Sequence, residues 1–123
     1  FIIGAPRDYE NALPFFDAKL VASSDETVTL EEYDIDSEVT YKVKRPKWIR
    51  VRFRDINGDI DTKRFDGFTS RFIQQMIDKL NGKSSRDCAN RFHKEQADRR
   101  MKREQNARRK RIRELMEPGL DFI

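Results

Sequence analysis

The sequence predicts an α+β domain: short antiparallel sheets packed on a central helix at about residues 68–81, with a basic helix at about 84–116 protruding from it. Three observations carry this. Trp48-Ile49-Arg50-Val51-Arg52-Phe53 alternates apolar and polar with period two, as a strand with one buried face does. The period then lengthens: Phe68, Phe72, Ile73, Met76, Ile77 and Leu80 recur at helical spacing and form an apolar stripe. Finally, charge is unevenly distributed. Residues 83–117 hold 13 Lys/Arg against 6 Asp/Glu, while residues 1–82 hold 13 against 15.

Each element has its own justification. Phe1-Ile2-Ile3 is a short apolar run ending at the turn-forming Gly4-Ala5-Pro6. Lys19–Ala22 and Thr27–Leu30 read as strands around the turn Ser23-Ser24-Asp25-Glu26. Residues 31–38 are acidic and read as irregular. Pro46 suits the start of the strand at 48–53, where a missing N–H does least harm. Asn57-Gly58 is a favoured hairpin turn whose two central residues take positive φ, and Ile60–Phe65 is the returning strand. Thr69 is the candidate cap of the central helix, and Asn81-Gly82 is its stop. Ser85 is the candidate cap of the second helix, Asp87 suits its first turn, and Pro118-Gly119 ends it. The division that follows is 1–82 core, 83–117 basic helix and 118–123 tail.

Composition narrows the function classes. A chain of 123 residues suits one small domain. Charged residues are 39% of it and apolar residues 37%, so part of the chain is expected outside any core. No apolar run approaches the ~20 residues that span a bilayer. The single cysteine, Cys88, forbids a disulfide framework within the chain and reads as a packed thiol. His93 is the only histidine and makes no zinc site alone; it reads as a surface or partner-facing residue.

Three stretches carry a family resemblance. They are Val28–Asp36, then Val43-Lys44-Arg45-Pro46-Lys47-Trp48-Ile49-Arg50-Val51-Arg52-Phe53 with the Asn57-Gly58 turn, then Phe65–Gly82. In order and spacing the chain resembles the peptide deformylases over about residues 10 to 82. There the middle stretch reads RP-x-W-I-x-V-x-[FY], and the helix reads G-x-x-A-R-x-x-Q-H-E-x-D-H-L-x-G. Gly67, Arg71, Gln74, Asp78, Leu80 and Gly82 fall in register. The resemblance implies deformylase-like antiparallel sheets around the central helix, and a structural role for Asp78.

It also implies one catalytic metal, commonly Fe²⁺ or Zn²⁺, held by two helix histidines and the Cys of E-G-C-L-S, with a helix Glu as acid/base. Here the histidine positions hold Gln75 and Lys79, the Glu position holds Met76, and the Cys position holds Asp34. Only Asp34 is a good ligand for a divalent metal. The Lys79 ammonium would oppose a metal until deprotonated, against an ordinary pKa of about 10.4. The expectation is no catalytic residue, no metal and no cofactor, with Asp34 and Lys79 forming an ion pair in the vacated site. A rebuilt metal site at Asp34, Asp36 and Gln75 is the competing reading. The family's Gly-rich first motif, ending in Gln, has no counterpart in the chain.

In the basic segment, Arg99, Arg100, Lys102, Arg103, Arg108, Arg109, Lys110 and Arg111 are the candidate partner-binding residues. The bland alternative is a solvated helix with i, i+4 pairs such as Glu95 with Arg99. Some deformylases, phage-encoded ones among them, are similar in ending on a basic helix, which in bacterial members docks on the ribosome. The function expected on these grounds is a catalytically inactive, deformylase-derived structural component of a larger assembly, a phage virion or a ribosome-type particle. Its partner would be a protein or ribonucleoprotein, without a membrane. Its place would be the cytoplasm, or a phage particle assembled in a host cytoplasm. Two alternatives stay open: an active deformylase-like metal hydrolase that removes the formyl group from N-terminal formyl-methionine, and a nucleic-acid-binding module acting through the Arg-rich tail.

Overall fold

Ten elements follow one another in the computed structural model, which describes residues 1–4 and 11–116. They are β1 (Ile2–Ile3), β2 (Leu13–Pro14), β3 (Phe16–Ser23), β4 (Thr27–Asp34), β5 (Val39–Pro46), β6 (Trp48–Arg54), β7 (Ile60–Asp66), α1 (Gly67–Leu80), α2 (Ser85–Cys88) and α3 (Arg91–Leu115). All strand pairs are antiparallel: β1 with β2, β4 with β5, and β6 between β3 and β7. The α+β arrangement holds. The expected turn at Gly4-Ala5-Pro6 lies partly outside the described residues, and the stop at Pro118-Gly119 with the 118–123 tail lies wholly outside them.

Two cores result. Ile49, Val51 and Phe53 bury the inner face of β6 against Phe15 and against Ile73 and Ile77 of α1. Val39, Tyr41 and Val43 bury one face of β5 against Ala89 and Ala97, flanked by Cys88 and Met101. Helix α1 thus meets the three-stranded sheet with an apolar face and the β4–β5 hairpin with a polar one: Ser70, Arg71 and Gln74 are buried too. The Gln74 amide donates to the Pro46 carbonyl at 3.1 Å and to the Ser70 hydroxyl at 3.0 Å.

This sandwiching corrects the expected stripe. Ile73 and Ile77 are buried, but Phe68, Phe72 and Leu80 are 83%, 47% and 64% exposed. The helix turns half of its apolar positions outward because an ion-pairing face takes their place inside.

Other expectations shift for local reasons. Residues 31–34 are not irregular but continue β4, because Glu32 and Asp34 are buried with partners that satisfy their charge. Pro46 ends β5 rather than starting β6. In the hairpin between β6 and β7 only Gly58 has positive φ, at 83°. The Asp55 carboxylate accepts the N–H groups of Asn57 and Asp59, at 2.9 and 3.0 Å, and so holds a wider loop than a two-residue turn. Asp66, not Thr69, precedes α1 as its cap residue, without a side-chain bond, and Gly67 takes φ of 62° there. Asn81-Gly82 does stop α1, with Gly82 at φ 77°.

The expected single helix from 84 to 116 is two helices. Ser84, not Ser85, caps α2 in a reciprocal box with Asp87. Asn90 caps α3 by accepting the His93 N–H at 2.8 Å. Glu95 pairs with Arg91, at 3.2 Å, and not with Arg99.

Candidate functional site

A buried charge cluster joins α1 to the β4–β5 hairpin. Arg45 follows Val39, Tyr41 and Val43 on the inner face of β5, so the alternation itself carries a guanidinium into the interior. It meets Glu32 of β4: Nε donates to Oε1, and Nη2 to Oε2 at 3.0 Å. Its Nη1 donates to Asp78 of α1 at 2.7 Å. Arg71, two turns before Asp78 on the same face of α1, donates to Glu32 at 3.1 Å and to the carbonyls of Val28 and Val43 at 2.7 and 2.8 Å. Burial works against the Arg45 charge, but its bonds to Glu32 and Asp78 outweigh burial and hold its pKa above the ordinary arginine value. For Arg71 the balance is reversed: burial prevails over Glu32 and the neighbouring Arg45 adds to it, so its pKa is lowered.

Cys88 closes the cluster from α2. Its thiol donates to Asp78 at 3.3 Å, and burial together with the Asp78 carboxylate pushes its pKa up. This is the packed, inert thiol that the sequence predicts.

Beside the cluster, on the outward side of α1, a cavity of about 230 Å³ opens between helix and strand. Leu30, Phe68 and Phe72 supply its apolar wall, and Gln75, Glu32 and Arg71 its polar atoms. A second, more apolar hollow of about 180 Å³ continues past Phe68 to Val28 and Pro46. The outward phenylalanines therefore line a cleft.

The four substituted family positions do not converge. Gln75 lines the cleft and Met76 is half-buried next to it, while Lys79 is exposed. Asp34 lies elsewhere, at the end of β4. Its carboxylate accepts N–H groups from Asp36 at 3.0 Å, Ser37 at 3.4 Å and Arg86 at 3.0 Å. Burial alone would raise its pKa, but these bonds and the Ser84 hydroxyl hold it below the usual carboxylate value. The expected Asp34–Lys79 ion pair is corrected on this ground: α2 already satisfies Asp34.

Of the competing metal site, Asp34 accepts three N–H groups and Gln75 lines the cleft. Among the described residues no three His, Cys, Asp or Glu side chains form a group able to hold a metal. Glu32 is committed to two arginines and Gln75 is neutral, so the residues present do not fit the metal that the resemblance implies.

His93 is half-buried rather than open. With Gln96, Ala97 and Arg100 it faces Glu31, Thr40 and Lys42 of the hairpin. Asp98 secures the same junction by accepting from Tyr41 at 3.0 Å and Arg86 at 3.1 Å. Beyond Met101 the helix leaves the body: Lys102, Arg103, Arg108, Arg109, Lys110 and Arg111 are exposed, as are Arg99 and Arg100.

A sheet-bound helix tied to a β-hairpin by Glu32, Arg45, Arg71 and Asp78, with a cleft between them, defines a deformylase-type fold. Residues 2–95 match the family model described as polypeptide deformylase, and the chain belongs to that family. A peptide deformylase of Wolbachia sp. subsp. Brugia malayi is 33% identical over 84 residues, covering 66% of this chain and 47% of that protein. The crystallised peptide deformylase from Plasmodium falciparum is 30% identical with TM-score 0.66, covering 73% of this chain and 53% of that one. One from Synechococcus elongatus, in complex with actinonin, is 26% identical with TM-score 0.65, covering 78% and 52%. The chain spans about half the length of the curated relatives it matches.

These relatives overturn the expectation of an inactive structural component. Proteins 31% to 35% identical to this chain bear the name peptide deformylase. Nothing in the comparisons supports a virion or ribosome-type particle. No helix among the described residues is long and apolar enough to cross a membrane.

Proposed function

We propose that the protein takes peptides with N-terminal formyl-methionine in the cleft between β4 and α1 and serves their deformylation. The observation that carries this is the cleft itself. Its Leu30, Phe68 and Phe72 walls suit an unbranched apolar side chain, and Gln75 stands at its edge with an amide able to orient a peptide carbonyl. Among the described residues β4 pairs on one side, with β5, so an extended peptide can lie along its other edge. The reaction adds water across the formyl amide and releases formate and a free amine. Water activation is assigned to none of this chain's residues, because Gln75 and Met76 carry neutral side chains that take no proton from water.

The test is formate release from a formyl-Met-Ala-Ser peptide by the full chain as purified. Formate above the protein-free blank is expected, together with loss of peptide binding in Phe72→Asp. Blank-level formate, with no peptide-induced shift of the Leu30 or Phe72 resonances, refutes the reading.

A second reading concerns α3. We infer that its exposed cations, Arg99 to Arg111, contact an anionic partner, since among the described residues none of them is in an ion pair. Arg108→Gln with Arg109→Gln should weaken capture of that partner in low salt, and unchanged capture would leave α3 a solvated helix.

A further inference from the structure

The outer face of the β3–β6–β7 sheet lies on the side of β6 away from α1, and the deformylase reading makes no use of it. Along β6, Ile49, Val51 and Phe53 point inward, which leaves Arg50, Arg52 and Arg54 exposed in a row. Alternate residues on a strand are about 6.8 Å apart, so the row is about 14 Å long. Register adds to it. Arg50 stands opposite Arg64 of β7, and Arg52 opposite Lys19 of β3; both partners are exposed. Directly opposed residues share a face, and like charges so placed are destabilising. Among the described residues Arg50, Arg52 and Lys19 have no ion pair, whereas Arg54 reaches Asp17 at 3.5 Å and Arg64 reaches Asp66 at 3.3 Å.

Aromatic rings stand at both ends of the row. Trp48 begins it, half-exposed, with the Arg64 guanidinium 4.5 Å from its ring centre. Phe16, 52% exposed, pairs in register with Arg54 at the other end.

We propose that this face binds single-stranded nucleic acid. The phosphodiester backbone runs along Arg50 and Arg52, and bases stack on Trp48 and Phe16. Guanidinium forks match phosphate oxygens, and a basic track with stacking rings is how strands are held without sequence choice. A linear row of cations on one strand suits a polyanion chain better than a flat lipid surface. The accumulated like charge, left unneutralised where an acid could stand, is what such a ligand would relieve.

The test is fluorescence anisotropy of a labelled 12-nucleotide oligo(U) with the full chain across a salt series. Arg50→Gln with Arg52→Gln should weaken binding about tenfold or more and reduce the log-affinity against log-salt slope by about 1.4, two phosphate contacts at ~0.7 each. Trp48 emission should change on binding to the unaltered protein and to Arg108→Gln with Arg109→Gln. The double variant should keep or raise its melting temperature, since it removes repulsion; if it does not, Lys19→Gln serves in its place. Unchanged affinity and slope in the sheet variants would overturn the proposal, as would binding to phosphatidylserine vesicles without binding to oligo(U). Neither outcome depends on formate release, so the two readings fail separately.

Discussion

Arg45 holds Glu32 with two nitrogens of one guanidinium and uses the third on Asp78, so a single side chain ties β4, β5 and α1 together. The side chains of Arg45 and Glu32 are 6% and 2% exposed, and Glu32 also lines the cleft.

Removing one partner leaves the others buried and uncompensated. Arg45→Ala should therefore cost about 3–5 kcal/mol in urea unfolding, the range for breaking a buried ion pair. A loss below about 1 kcal/mol would show that the cluster contributes only geometry.

Phe68 and Ile73 belong to the same apolar stripe in sequence but to opposite sides of α1. Ile73→Ala should destabilise by about 2–5 kcal/mol, as a truncation in a packed core does. Phe68→Ser should stay within about 0.5 kcal/mol, as surface changes do. Equal losses in thermal melts would place Phe68 inside.

Asp34 links α2 to β4 through its ionised form. Its folded pKa lies below the unfolded value, so the stability it supplies is fully present above about pH 4. That stability is lost as pH falls through the lowered folded value. Asp34→Asn should flatten the acid side of the stability curve below about pH 4, read by unfolding at stepped pH. An unchanged acid limb would assign the loss to other carboxylates.

Among the described residues helix α3 is docked in its first half, through Ala97, Met101 and the bonds of Asp98 to Tyr41 and Arg86. Hydrogen exchange should therefore be slower at residues 94–101 than at 104–115, whose side chains are exposed. Uniform protection along the helix would require a second docking surface.

The strand at 48–54, the helix from 67 to 80, its Asn81-Gly82 stop and the basic segment were all legible in the sequence, because local periodicity and turn chemistry determine them. The β5 alternation was equally regular, but it placed Arg45 in phase with Val39, Tyr41 and Val43, and a charge at a core position argues against burial until its partners are known. The pairing of Glu32 with Arg71 is not legible either: 39 residues separate them, and no local pattern pairs them. The break at Ala89-Asn90 escaped notice because helix-forming residues flank it on both sides.

By itself, then, the sequence determined the class of fold, the family, the absence of the family's ligand residues from their positions, and the charge of the tail. Tertiary structure alone decided which side of α1 faces inward, that Asp34 serves α2, and that like charges gather on one face of a sheet. Propensity and spacing act over a few residues. Burial and ion pairing depend on what folding brings opposite each side chain, and in this protein those partners lie tens of residues away.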